Sequence, residues 1–343
     1  MVGFARLAAI ALGLGAVGLG MLAPAPVKAQ EPLVVVASGG VWLESAKKNF
    51  AACYKEKTGQ SPEILVLNSS DVMSKIRANP KNPPIHVALL SEIDAIRAGR
   101  EGLLDKLDPA KAPNLKDVPQ IFREQWDDFA TIQNFGAMIV LYNKDKIPTP
   151  PADWKTLIDD VIAGKFGDRV SFPAVTMAWG PMFTWFLSTL YGGDENVVFE
   201  KYKAMAPHVA KFWTSPVDAM NMFAAKEIDL LVYWDGRAYS FANENKWAGA
   251  YIPEPGAFQS AAMLAKVKNA PESAWTYIDC VLSPKAQLGH AETIIYPVVN
   301  SKVVYPDALK AQLTPLEKVR QPEFKSFIDK IPAWIDRWNK EIR

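Results

Sequence analysis

The chain is poor in the side chains that most often carry chemistry. It has three histidines, His86, His208 and His290, far apart in sequence and in no zinc-binding spacing. It has two cysteines, too few for a small fold stapled by several disulfides. Ser38-Gly39-Gly40 lacks the Gly-Lys-Ser/Thr ending of a phosphate loop, and no GxGxxG or GxSxG motif follows any predicted strand. Carboxylates are plentiful but scattered, which singles out no acid/base pair. An excess of charge is also missing, since 38 Lys and Arg stand against 37 Asp and Glu. These absences argue against an enzyme and against nucleic acid or an anionic membrane surface as partner. No catalytic residue, cofactor or metal is expected.

What is present begins with an export signal. Arg6 is followed by the apolar, small-residue-rich run Leu7 to Leu22, and Val27-Lys28-Ala29 supplies small residues at the cleavage positions. Residues 1–29 are therefore expected to be removed, leaving a soluble exported protein. The loss of Arg6 and Lys28 leaves 36 basic against 37 acidic side chains, about −1. Export places Cys53 and Cys280 where disulfides persist. Both fall in helical patterns assigned to one lobe, so a bridge and two unpaired core cysteines are both open.

With 49% apolar residues and 343 positions, the chain can bury cores for about two domains. Leu33 to Ala37, Ile64 to Leu67 and Ile85 to Leu90 read as short buried strands. Each is followed by a helix: Val41 to Lys57, ending at Gly59; one with its cap supplied by Asn68-Ser69-Ser70-Asp71 and running through Ala78; one capped by Ser91 and ending near Gly99. This alternation predicts a mostly parallel, doubly wound lobe. Ala130 to Tyr142 is one long extended segment, enough to pass between lobes. The strand Val170–Pro173, the aromatic helix Trp179–Tyr191 and the helix opened by Ser215-Pro216-Val217-Asp218 make a second β/α lobe. The Pro-rich stretch Tyr251 to Ala257 suggests a second hinge strand. Leu316 to Arg343 reads as amphipathic helix docked on the body.

Within the second lobe, Ile228 to Tyr233 runs as a buried strand into Trp234-Asp235-Gly236-Arg237. Asp235 is the expected N-cap of the following helix. Ligands of open α/β sheets sit beyond the carboxyl ends of strands, which directs attention to Trp234, Asp235 and Arg237.

Several segments together resemble a known family. They are the N-terminal Val-Val-Val-Ala-Ser-Gly-Gly, His86-Val-Ala-Leu-Leu-Ser91, Glu101-Gly102-Leu103-Leu104-Asp105-Lys106-Leu107-Asp108, Trp154-Lys-Thr-Leu157, Ile228 to Gly236, and Ala291-Glu-Thr-Ile-Ile-Tyr-Pro-Val298. In order and spacing they are similar to the periplasmic solute-binding proteins of ABC importers, in particular the spermidine/putrescine-binding group. The resemblance implies two α/β lobes joined by crossing hinge strands, a small-molecule ligand trapped by hinge closure, a periplasmic monomer, and an ABC permease of the inner membrane as partner. The lobes expected from it are residues 31–133 plus 257–303 and residues 134–256 plus 304–343.

The resemblance implies a polyamine ligand held by carboxylates against aromatic walls. Trp234 matches the aromatic position of that arrangement. Where a Trp and an Asp would follow the hinge, however, this chain has Gln259, Ser260 and Ala261, and Phe172 to Gly180 brings no acid. A small organic acid, an aminophosphonate or a zwitterion is the alternative. The expected ligand contacts are Ser38, Gly39, Gly40, Trp42, Ser91, Glu92, Thr176, Trp179, Trp234, Asp235, Arg237 and Gln259. Helix N-termini and Arg237 would favour an anion, whereas Glu92 and Asp235 would hold an amine.

Overall fold

The computed structural model describes residues 31–342; the expected signal segment, residues 1–29, lies outside them. Ten strands build the sheet: β1 (Val34–Ala37), β2 (Glu63–Val66), β3 (Val87–Leu90), β4 (Thr131–Asn143), β5 (Val170–Pro173), β6 (Lys211–Trp213), β7 (Leu230–Trp234), β8 (Ala248–Tyr251), β9 (Ala257–Lys266) and β10 (Val319–Arg320). Their order is β2-β1-β3-β9-β4-β7-β5-β6, with β10 on β9 and β8 on β4. The first lobe is built on β1, β2 and β3, the second on β5, β6 and β7.

The outer strands of each lobe pair in parallel, as β/α alternation requires. The middle, where the crossing strands run, is antiparallel. β9 runs antiparallel to both β3 and β4, and β4 runs antiparallel to β7 and β8. β4 is the long crossing segment foreseen: its first half, from Thr131 to Ala137, pairs with β9, and its second half, from Met138 to Tyr142, pairs with β7. The second crossing strand is β9 and not the Pro-rich stretch before it. β9 was not anticipated because Ala257-Phe-Gln-Ser-Ala-Ala-Met-Leu-Ala-Lys266 offers small residues with weak strand preference and no alternation, being buried on both faces.

Local signals place the helices that follow the strands. Asn68 accepts from the Asp71 amide at 2.9 Å, Ser91 from the Asp94 amide at 3.3 Å and Ser215 from the Asp218 amide at 3.3 Å, each fixing a helix start. The first helix runs from Val41 to Thr58 with a π-helical stretch at Ala46–Ala51, and stops at Gly59, whose φ of 75° a side chain would resist. Cys53 and Cys280 are bonded, with their Cα atoms 5.7 Å apart, which joins helix Ala52–Thr58 to helix Ser273–Val281.

The C-terminal segment is not one helix. It has short turns at Leu316–Lys318 and Ile328–Lys330, the strand β10, and helices Phe324–Phe327 and Ile331–Glu341. Pro322 and Pro332 break the pattern, because proline removes an amide donor and clashes with the preceding turn. Its apolar side chains do pack on the body. Phe324 lies on Trp126, Phe327 on Trp185, and Trp338 on Tyr202 and Phe212, so this segment straps both halves of the molecule.

Candidate ligand cleft

The carboxyl ends of the strands from both lobes meet at a cleft of about 400 Å³. β1 delivers Ser38, the segment after β2 delivers Asn68, Ser69 and Ser70, and the segment after β3 delivers Ser91 and Asp94. The second lobe contributes Ala178, Trp179, Pro216, Trp234 and Arg237. The crossing strands supply Asn134 from β4 and Ser260, Ala261 and Ala262 from β9, and Tyr296 completes the wall. Helices Ser69–Ala78, Glu92–Arg100, Gly180–Leu190, Pro216–Ala224 and Asp235–Glu244 all begin at this lining. Their free amides and aligned dipoles make the cleft favourable to negative charge.

Arg237 is the exposed cation of this wall. Its guanidinium lies 5.4 Å from the Trp42 ring of the first lobe and 5.6 Å from the Trp234 ring of the second. It donates to the Tyr233 hydroxyl at 3.4 Å and forms no ion pair with any described carboxylate. A guanidinium flanked by ring faces and lacking a counter-charge retains its donors for a ligand oxyanion. Trp234 is 9% exposed, its indole N–H donates to Ser260 Oγ at 2.9 Å, and Trp179 meets it edge-on at 5.0 Å.

The acid in the lining, Asp94, already has partners. It accepts from Ser69 Oγ at 2.6 Å and from Ser91 Oγ at 3.1 Å, and Arg97 lies 3.4 Å away.

Of the residues expected from sequence, Ser38, Trp42, Ser91, Trp179, Trp234 and Arg237 line the cleft. Gly39, Gly40, Glu92, Thr176, Asp235 and Gln259 do not. Glu92 and Gln259 are fully enclosed behind the wall, and burial pushes the Glu92 carboxyl up to about 8, against weaker opposing bonds from the Ala261 amide and Gln259. At neutral pH it keeps its proton and offers an amine no counter-charge. Asp235 is not an N-cap, because the chain turns helical one residue earlier, with Trp234 at the cap position. Its carboxylate is 2% exposed, accepting from the Gly236 amide at 2.8 Å and from Thr314 Oγ1 at 2.5 Å. Burial raises it to about 6. It is an internal tether to the C-terminal segment.

Asn68, Ser69, Ser70, Asp94, Asn134 and Tyr296 were not anticipated. Asn68 and its neighbours carried a usable signal, since the same rule that pointed to Trp234 applies to the end of β2. Tyr296 and Asn134 carried none, because their placement depends on contacts remote in sequence.

A two-lobe sheet crossed by two strands, with helix N-termini converging on the cavity between, defines a periplasmic binding protein fold of the two-lobe type. The family of bacterial extracellular solute-binding proteins matches residues 49–315, and this chain belongs to that family. Among solved structures, an assigned extracellular solute-binding protein from Bordetella parapertussis is 27% identical, with 92% of this chain and 100% of that chain covered and a TM-score of 0.81. The periplasmic binding protein AfuA from Actinobacillus pleuropneumoniae, with fructose-6-phosphate bound, is 16% identical over 91% of this chain and 98% of that one, TM-score 0.73. A Listeria monocytogenes protein ascribed to spermidine/putrescine ABC transport is 18% identical over 90% and 99%, TM-score 0.68. No curated protein matches the chain. Among the described residues no helix is long and apolar enough to cross a membrane.

Proposed function

We propose that this chain is the periplasmic substrate-binding component of an ABC importer, that it captures a small solute bearing a carboxylate, phosphonate or phosphate group, and that it performs no catalysis. It works in this reading as a monomer, freed by cleavage after Ala29, whose lobes (31–133 plus 257–303, and 134–256 plus 304–343) close on the solute by hinge motion and present it to the permease. The observation that carries the ligand class is Arg237, flanked by Trp42 and Trp234 at the cleft wall without a carboxylate partner. The helix N-termini around it add to the same preference. Ser38, Ser91, Trp179 and Trp234 join it as ligand contacts. A polyamine is served less well, because Asp94 is already bonded to Ser69, Ser91 and Arg97, and Glu92 is protonated at neutral pH.

A thermal-shift panel tests this. Short carboxylates, phosphonates and sugar phosphates are run beside putrescine and spermidine, on the purified protein and on Arg237→Ala. A true ligand stabilises by about 2.7 kcal/mol at a hundredfold excess over its Kd. Stabilisation by at least one of the acids, lost in Arg237→Ala, is expected. Stabilisation by polyamines alone would overturn the ligand class, and turnover of a stabilising compound would replace the binding reading with an exported enzyme on the same scaffold.

A further inference from the structure

A second cleft, of about 430 Å³, adjoins the first and shares Trp42, Arg237 and Tyr296 with it. Like the first, it is walled by both lobes. Two of the large apolar side chains most exposed among the described residues line it: Val41, 52% exposed, at the start of helix Val41–Ser45, and Val217, 64% exposed, at the start of helix Pro216–Ala224. Neither packs into the core, and exposed apolar side chains in a cleft lining are surface that a ligand would take out of water.

One wall of this second cleft carries a charge pattern. Helix Asp235–Glu244 lines it with Arg237, Ser240, Phe241 and Glu244. Positions seven apart on a helix return to nearly the same face, so Arg237, Phe241 and Glu244 share one stripe, along which backbone positions 237 and 244 are separated by about 10 Å. Glu244 accepts from Ser240 Oγ at 3.5 Å and, like Arg237, forms no ion pair among the described residues. The stripe thus runs from an unpaired cation, across apolar surface, to an unpaired acid.

Resting on the reading of Arg237 as the anion site, we infer that the second cleft is an extension subsite and that the transported solute is elongated. Its acidic group lies at Arg237, its apolar spacer on Val41, Val217 and Phe241, and an ammonium group at its far end faces Glu244. Charge complementarity at both ends and shared walls with the first cleft select one occupant, the distal part of the same solute. The class is long-chain ω-amino carboxylates or ω-amino phosphonates, and a compact acid would leave the second cleft unfilled.

Isothermal titration calorimetry with ω-aminoalkanoates and matched alkanoates, from about four to about ten carbons to bracket the ~10 Å span, tests this directly. Affinity in the amino series is expected to rise with length, peak where the spacer fits the stripe, and exceed that of the matched alkanoate about tenfold. Glu244→Gln is expected to bring the amino series down to the matched alkanoates, and Val217→Ser to flatten the length dependence. Short acids that bind through Arg237 with no gain from length or amine would overturn the extension while sparing the proposed function. An amine advantage that persists in Glu244→Gln would also overturn it. Binding of no acid in either series would overturn both.

Discussion

Gln259 on β9 donates its carboxamide to Oε1 of Glu92 at 3.4 Å, while Oε2 of the same carboxyl group, fully buried, has no partner. Burial without full pairing disfavours the charged form, which is why this carboxyl titrates near 8 instead of its usual 4.5. A raised folded-state value means the group's contribution to stability is complete below 4.5 and is lost as pH rises through about 8. Asp235, raised from 3.8 to about 6, adds a smaller loss of the same sign at lower pH.

Glu92→Gln removes the titration and keeps the shape. Relative to the native protein it should gain stability above pH 4.5 at up to about 1.4 kcal/mol per pH unit, reaching a few kcal/mol at pH 8. Urea unfolding of both proteins between pH 5 and about 8 measures this, and parallel pH profiles would remove Glu92 as their source.

The bridge between Cys53 and Cys280 spans 227 residues of sequence and ties two helices of the first lobe. Beside it, Lys57 Nζ donates to Asp279 Oδ2 at 2.7 Å, a second link between the same helices. Replacing both cysteines by alanine should therefore leave the fold in place and cost about 2–5 kcal/mol in unfolding free energy, the usual range for a long-loop disulfide. Neither cysteine lines the cleft, so acids that bind the native protein should bind the variant with unchanged Kd. A variant as stable as the native protein would show that the bridge contributes nothing.

What sequence could reveal divides along the reach of the interactions. β7 was legible because an unbroken apolar run reports burial directly, and the caps at Ser91 and Ser215 because a cap and its amide lie three residues apart. Trp234 and Arg237 could be placed at a strand's carboxyl end from topology alone. Asp235 was misread as a cap because its actual partner, Thr314, is 79 residues away. β9 escaped for a similar reason: its Ala-rich sequence becomes a central strand only through pairing with β3 and β4. The pairing of Arg237 with the Trp42 ring, on which the ligand class rests, joins opposite lobes and has no local signature.

Tyr296 occupies a slot made by two glycines. A Cβ on Gly136 of β4 would fall far inside van der Waals contact with the Tyr296 ring and 2.5 Å from Asp235 Oδ1, and one on Gly236 would also strike the ring. Tyr296 in turn faces Trp42 at 5.6 Å and lines both clefts, so a displaced ring reaches the ligand wall. Gly136→Ala should cost about 1–3 kcal/mol, as overpacking of a filled interior does, and should weaken acid binding as the wall shifts. Because the ring is the principal obstacle, the same substitution should cost less in a Tyr296→Ala background, a coupling that a double-mutant cycle measures by urea unfolding. Equal cost in both backgrounds would show that the tight fit lies with Asp235 and not with the tyrosine.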